Sequence, residues 1–574
     1  MRSPDHATAT TPSSGLALLL VALVVLVALA IGRDHALQNL NEGVYARVAQ
    51  EMLERRDFIV PTLDGVPYLE KPPLLYWVTA AAFGIFGMNE TAARFAPLLG
   101  ALLAFGTTVW FARRHLAPTT DRYALAILGT APIIVVLAHT LMFDLLFTGL
   151  LFAALAMGYE VFERPDERRW LRCSYGLLAA AVLAKGLAAI VFYVLVVGAW
   201  LWQSPRETRL AAARCFGEPV ALAILVAIGV PWHVLAAQQQ PGFVWLYFVN
   251  EHLLRFIDAR NPHDYHTGPW WYYVPRIPQY LFPWILLLLL PIGPTAQPVS
   301  ERGARRFLWI AFLVPLVLFS LSRAKGEYYL VTGMPPLALL AADRLARAAA
   351  PGKLLEAMGS AWLVVVAALL ALGPSLIGSY AMPANATILT LSAGAFAAVS
   401  LVTARSGRRT IATLACAAVA IPCVMMYSNF LEANETAKSA RSLAFELRGS
   451  SEPVYVFREY ETLSAFPFYL DSLVGVADPH SGDLHNGLRL RPQPQRFPDI
   501  PTMTRRAASE PLWLVVPHGE RESFARNGLA AMFVAVRSVG SNALYASLPL
   551  AERRDESSGG DGAANTPLQR LTRR

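Results

Sequence analysis

The residues of this sequence best suited to chemistry are charged groups set in or beside apolar stretches. Asn41-Glu42 and Tyr45 follow the first apolar block. Glu70-Lys71 precede a short apolar stretch that opens with Pro72-Pro73, and Asp144 opens another block. Lys185 stands at a Lys185-Gly186 turn. Glu251, His252 and Arg255 fall in a long polar segment, and Lys325 and Tyr329 begin a later block. A charge inside an apolar segment is costly and by default marks function. The plainer alternatives are a partner for a buried base at Asp144, a headgroup-seeking lysine at Lys185 and a hydrogen-bonded loop histidine at His252. Taken together the set suits a phosphorylated lipid. Such a ligand needs an apolar groove for its tail and cations for its head, and the same cations stabilise charge growing on a departing phosphate. Nearby acids can accept a proton from an acceptor hydroxyl or hold a metal.

The elements that must position these groups are membrane helices. The chain is 55% hydrophobic and only 16% charged, whereas soluble domains run nearer a quarter charged. Its apolar residues come in blocks, such as 14–31, 220–237, 307–322 and 362–381, and about 20 residues suffice for one crossing. The net charge of +8 does not imply a nucleic-acid partner, because the basic residues sit in short loops and read as a topology signal. The first block lacks a clear cleavage site and reads as a signal anchor. Cys173, Cys215, Cys416 and Cys423 lie in or beside apolar blocks, which argues against a disulfide framework.

Charge decides the count of spans. Six short loops are rich in arginine, among them those carrying Arg113 and Arg114, Arg168 to Arg172, and Arg305 and Arg306. Placing all six in the cytoplasm predicts about thirteen transmembrane helices, a cytoplasmic N-terminus over 1–13 and a periplasmic C-terminus. Residues 73–87 then form an interfacial helix on the outer surface. A membrane module over 14–430 keeps two long periplasmic loops, 32–89 and 238–276. After it the pattern predicts a helix over 436–448 and strands at 454–458, 512–516, 532–536 and 544–548. These make a small α/β periplasmic domain over 431–550, followed by a disordered tail over 551–574.

At the chemical residues the sequence resembles a known family. The run Asn41-Glu42-Gly43-Val44-Tyr45-Ala46-Arg47-Val48-Ala49-Gln50-Glu51-Met52 and the later Tyr68-Leu69-Glu70-Lys71-Pro72-Pro73-Leu74-Leu75-Tyr76-Trp77 are similar to the first periplasmic loop of the lipid A aminoarabinose transferases. These are bacterial GT-C proteins related to the protein O-mannosyltransferases. The likeness continues at Leu183-Ala184-Lys185-Gly186, at Glu251-His252-Leu253-Leu254-Arg255-Phe256 and from His266 to Tyr273, over about the first 350 residues. It implies an inner-membrane glycosyltransferase that moves a sugar from a polyprenyl-phosphate carrier, such as undecaprenyl phosphate, to lipid A or another envelope glycan.

By position, the resemblance implies that Lys71 binds the carrier phosphate, assisted by Lys185 and Arg255. Glu70 and His252 would hold a divalent metal such as zinc, with phosphate or water completing the four ligands zinc usually takes. Asp144 matches an essential acid, and Tyr329 a substrate-facing tyrosine; Asn41 and Tyr45 fall among the substrate-binding positions. The family has Asp-Glu where this chain has Asn41-Glu42. Asparagine cannot be a general base but can hydrogen-bond a sugar or phosphate, which leaves Glu42 or Asp144 for any basic role. An acceptor that is itself a phosphate needs little base. Val44 replaces a family arginine, so recognition of the donor sugar differs. Two other classes compete. A transporter or flippase would show repeats with matching broken spans, and none is visible. A structural membrane subunit would merely present the C-terminal domain.

Overall fold

The computed structural model describes residues 14–263, 267–289, 299–348, 350–376 and 378–558. These form two compact units. The first comprises 14–36, 52–61 and 69–434, and the second 37–51, 62–68 and 435–558.

The first unit is helical. Among the described residues seven helices are long and apolar enough to cross a membrane: Phe95–His115, Phe143–Glu163, Pro219–Gln239, Glu301–Leu321, Pro351–Gly373, Ala386–Arg405 and Arg409–Ala433. Thr120–Gly129 and Pro132–Ala138 make one broken span, bent by 61°. Pro132 sits in the first turn of its second half, where proline starts a helix but cannot continue the one before it. Helices also occupy the remaining expected positions, at Ser14–Ala30, Arg168–Lys185, Ala188–Gln203, Arg276–Leu281 and Met334–Arg347. They are shorter or more charged than the seven, so thirteen remains a count made by charge. The expected span beyond Leu289 runs into 290–298, outside the described residues. Leu74–Phe86, the expected interfacial helix, has 13 residues. It is about 20 Å long, against an apolar bilayer core of about 30 Å.

Helices Phe95–His115 and Phe143–Glu163 touch through glycines. A Cβ on Gly149 would overlap the carbonyl of Gly100, and one on Gly100 would overlap the backbone of Leu146; small residues allow such approach. Some loop arginines, expected only as orientation signals, also neutralise buried acids. Glu160 takes Arg114 at 2.7 and 3.1 Å and His115 at 2.7 Å. Asp343 takes Arg305 at 3.0 Å and Arg347 at 2.9 Å.

The second unit carries a five-stranded sheet in the order Gly475–Ala477, Val454–Phe457, Trp513–Val516, Asn542–Ser547, Phe533–Val539. The first three strands are parallel and the last two antiparallel to their neighbours. Phe457, Leu514, Val516, Met503 and Phe524 share its core. Three corrections follow. Gly475–Ala477, too short to show alternation, is a strand that the pattern misses. The expected helix over 436–448 breaks into Glu435–Lys438 and Arg441–Leu447. The expected disordered tail begins as a helix, Leu548–Ser558, and 559–574 lie outside the described residues.

This unit also takes in 37–51 and 62–68, which the sequence assigned to the membrane module. Leu37 N donates to the Tyr469 hydroxyl at 2.7 Å, Leu40 N to Glu461 O at 3.1 Å and Val474 N to Asp64 at 3.2 Å. A Cβ on Gly43 would strike the backbone of Ser464 and Ala465, so the helix beginning at Asn41 can seat there only with glycine.

Candidate active site: a cationic pocket with an apolar wall

A cavity of about 480 Å³ in the first unit is lined by Glu70, Lys71, Lys185, Glu251, His252, Arg255 and Tyr329, with Phe192, Phe248 and Phe319 among its apolar walls. Each charged group arrives from an element end or an irregular helix. Lys71 lies just ahead of the helix capped by Pro73. Lys185 is the last residue of Arg168–Lys185. Glu251 and His252 come from Trp245–Leu254, a π-helical segment, a rare geometry frequent at functional sites.

Five charges of the first unit are interlocked. Arg260 bridges both acids, with Nη2 at 2.8 Å from Glu70 Oε1 and Nε at 2.6 Å from Glu251 Oε1. The other oxygen of Glu251 faces Arg255 at 3.3 Å and Lys71 at 3.8 Å. Both carboxylates are buried. Burial, and then the neighbouring Glu251, push Glu70 above the usual carboxylate range. Burial also pushes Glu251 up, but Lys71, Arg260 and Arg255 outweigh it and hold it low. Lys71 is lowered by burial and then by Arg255. Three cations against two acids leave this cluster one positive charge in excess, a suitable state for an anion.

The turn at Lys185 is built on His252. Leu187 N donates to His252 Nε2 at 3.2 Å, while Nδ1 donates to Tyr247 O at 2.6 Å. Burial keeps His252 below its usual pKa, so the ring is neutral and Nε2 accepts. Gly186 has φ +74°, and a Cβ there would overlap His252 Nε2 and the Tyr247 hydroxyl. The turn therefore needs glycine on both counts. Lys185 Nζ pairs directly with Asp144 Oδ1 and stands 4.6 Å from the Tyr329 ring centre, within cation–π range.

The expected metal site fits poorly. Glu70 and His252 do line one cavity, but Arg260 compensates Glu70 and both ring nitrogens of His252 are engaged. Among the described residues no group of three or more His, Cys, Asp or Glu is placed to hold a metal. Among the described residues Glu70 and His252 would supply two of zinc's usual four ligands.

The pocket thus gathers Glu70, Lys71, Lys185, His252, Arg255 and Tyr329, with Asp144 behind Lys185. Asn41, Glu42 and Tyr45 belong to the second unit. There Tyr45 donates to Asn41 Oδ1 at 3.2 Å, and Gln38 N donates to Glu42 Oε2 at 3.0 Å, next to the start of its helix. Lys325 is not in the lining. Its Nζ donates to the carbonyls of Phe319, Ser320 and Ser322 at 2.5 to 2.9 Å, which caps the end of Val299–Leu321. The sequence places Glu251 in the charged set without an individual role, and Arg260 is not in that set. The i, i+4 spacing of Glu251 and Arg255 was a usable signal for the first; Arg260 had none.

Residues 70–233 match the family model described as dolichyl-phosphate-mannose-protein mannosyltransferase. The chain is 31% identical over 323 residues to an undecaprenyl phosphate-alpha-4-amino-4-deoxy-L-arabinose arabinosyl transferase of Pseudomonas fluorescens, covering 54% of this chain and 56% of that protein. A namesake from Edwardsiella ictaluri is 30% identical over 312 residues, covering 54% and 55%. The chain thus matches a little over half the length of these curated relatives. In structure it is similar to ArnT from Cupriavidus metallidurans in the apo state, with TM-score 0.78 and 22% identity over 93% of this chain and 98% of that one. The same protein bound to undecaprenyl phosphate gives TM-score 0.74 at 23% identity, with the same coverage. By fold over nearly all its length the chain is a multi-pass membrane protein similar to ArnT, and part of its sequence is similar to the bacterial aminoarabinose arabinosyl transferases and to the protein mannosyltransferase family model.

Proposed function

We propose that the protein is a glycosyltransferase that takes a sugar from a polyprenyl-phosphate carrier on the periplasmic side and passes it to lipid A or another envelope glycan. The observation that carries this reading is the single cavity in which Lys71, Lys185 and Arg255 face an apolar wall of Phe192, Phe248 and Phe319. The cations suit the phosphate and the wall suits the first isoprene units. The names of the curated relatives support the same donor class.

In the transfer, the bond between the sugar's anomeric carbon and the carrier phosphate oxygen breaks, and its electron pair leaves with polyprenyl phosphate. An acceptor oxygen forms the new bond to the anomeric carbon. Lys71, Arg255 and Lys185 stabilise the charge on the leaving phosphate. Asp144 pairs with Lys185 and orients it. A phosphate acceptor arrives ionised and needs no base. Tyr329 supports Lys185.

Metal analysis of the protein with and without polyprenyl phosphate tests whether phosphate completes a metal site on the Glu70–His252 pair. The deciding experiment incubates the purified protein with a labelled polyprenyl-phosphate sugar and a bacterial lipid extract. Label is expected in an acceptor lipid, with free polyprenyl phosphate released. Movement of the donor across vesicles without transfer would instead favour a flippase.

A further inference from the structure

Glu251 faces three cations in the pocket. Its carboxylate is 1% exposed and divides its oxygens, Oε1 to Arg260 at 2.6 Å and Oε2 to Arg255 at 3.3 Å and Lys71 at 3.8 Å. The two sides differ in tightness. Arg260 is held closely by two acids, and its loop is pinned next door. Asn261 N donates to Asn250 Oδ1 at 2.9 Å, and Asn250 Nδ2 returns to Asn261 O at 2.9 Å. Asn250 Nδ2 also reaches Glu251 Oε1 at 3.1 Å. Lys71 and Arg255 lie on the looser side, and both line the cavity, whereas Arg260 does not.

We propose that Glu251 is a positioning residue: clamped by Arg260 and Asn250, it holds Lys71 and Arg255 at the distance and angle from which they grip the donor phosphate. A rigid planar guanidinium between two acids makes the clamp. Long, flexible cations gain from such a support, because the entropy of ordering them is spent before the ligand arrives. The inference rests on the polyprenyl-phosphate reading above and assigns within it a residue outside the reacting atoms.

The test uses the full-length protein in detergent and two readouts, equilibrium binding of radiolabelled polyprenyl phosphate and steady-state transfer. Glu251→Gln is expected to weaken polyprenyl-phosphate binding and raise the donor KM by roughly tenfold or more, with a smaller change in kcat and none in acceptor KM. Glu251→Asp should recover part of the loss. Because removing one partner of a buried ion pair can unfold a protein, Arg260→Lys is the second variant. It keeps the charge but cannot bridge both acids, and it should raise the donor KM in the same way. Unchanged polyprenyl-phosphate binding in both Glu251→Gln and Arg260→Lys, beside a wild type that binds, overturns this proposal alone. Equal rises in donor and acceptor KM would also overturn it, as a merely structural effect. A wild type that neither binds polyprenyl phosphate nor transfers sugar overturns the functional reading and this inference with it.

Discussion

The ammonium of Lys185 is paired with the carboxylate of Asp144 across the ends of two helices, the first ending at Lys185 and the second beginning at Phe143. Asp144 is 3% exposed as a residue, so the pair is a buried one beside the cavity. Its two members, read from the sequence as separate hypotheses, are parts of one device. Breaking such a pair from one side leaves the other charge uncompensated. Asp144→Asn and Lys185→Ala should each lower transfer by about a hundredfold, the scale of removing one preorganised stabiliser. The double variant should be scarcely worse than either single, a coupling read from a double-mutant cycle of kcat/KM. Additive losses would show that the two act apart. Tyr329→Phe should keep the ring over Lys185 and most activity, and Tyr329→Ala should not.

Lys71→Ala should reduce transfer a hundredfold or more, about 3 kcal/mol of transition-state stabilisation, while leaving the melting temperature close to wild type. The side chain lines the cavity, and its contacts to the Glu70 carbonyl at 3.5 Å and to Glu251 at 3.8 Å are long. Near-normal turnover in a folded variant would remove the lysine from the mechanism.

Gly186→Ala tests the turn. The position combines φ +74° with no room for a methyl against His252 and Tyr247. A strained backbone of this kind costs about 1–3 kcal/mol. The expected result is a lower melting temperature together with weakened donor binding, since Lys185 and the Leu187–His252 hydrogen bond move with the turn. Full donor affinity in the variant would separate the turn from the phosphate site.

The second unit should carry a pH-dependent stability. Burial, opposed by Arg47 and reinforced by Asp64, pushes Glu51 from 4.5 up to about 7. Arg47 faces Glu51 at 3.1 Å and Asp64 at 3.6 Å, and Arg496 also acts on Asp64. A carboxyl whose folded pKa is raised favours folding while protonated. Its contribution is full below about pH 4.5 and is lost as pH rises through about 7. Glu51→Gln should flatten the fall in melting temperature between pH 5 and 8, and should be relatively more stable at the upper end. An unchanged slope would mean that Glu51 ionises in this cluster without cost.

Much of this protein was legible in its amino-acid order. Blocks of apolar residues interrupted by arginine announced a helical membrane protein, because burying backbone in lipid permits little else. The C-terminal strands at Val454–Phe457 and Trp513–Val516 announced themselves by β-branched and aromatic runs. The residues around Glu70-Lys71 and Glu251-His252 stood out because charge beside apolar sequence demands a reason. Local pattern could not supply the pairings. Asp144 and Lys185 are 41 positions apart, and nothing in either segment names the other. Arg260 sits in an irregular loop without periodicity, yet it locks Glu70 to Glu251. Lys325 looked like a ligand-facing cation, but three carbonyls at a helix end claim it. Residues 37–51 read as part of a membrane loop and belong instead with the sheet-bearing unit, against residues some 400 positions later. Composition and periodicity act over one or two turns of chain and so fix which segments leave water. Which charge meets which is set by the folding of distant segments onto one another, where a buried ion must find its partner or remain costly.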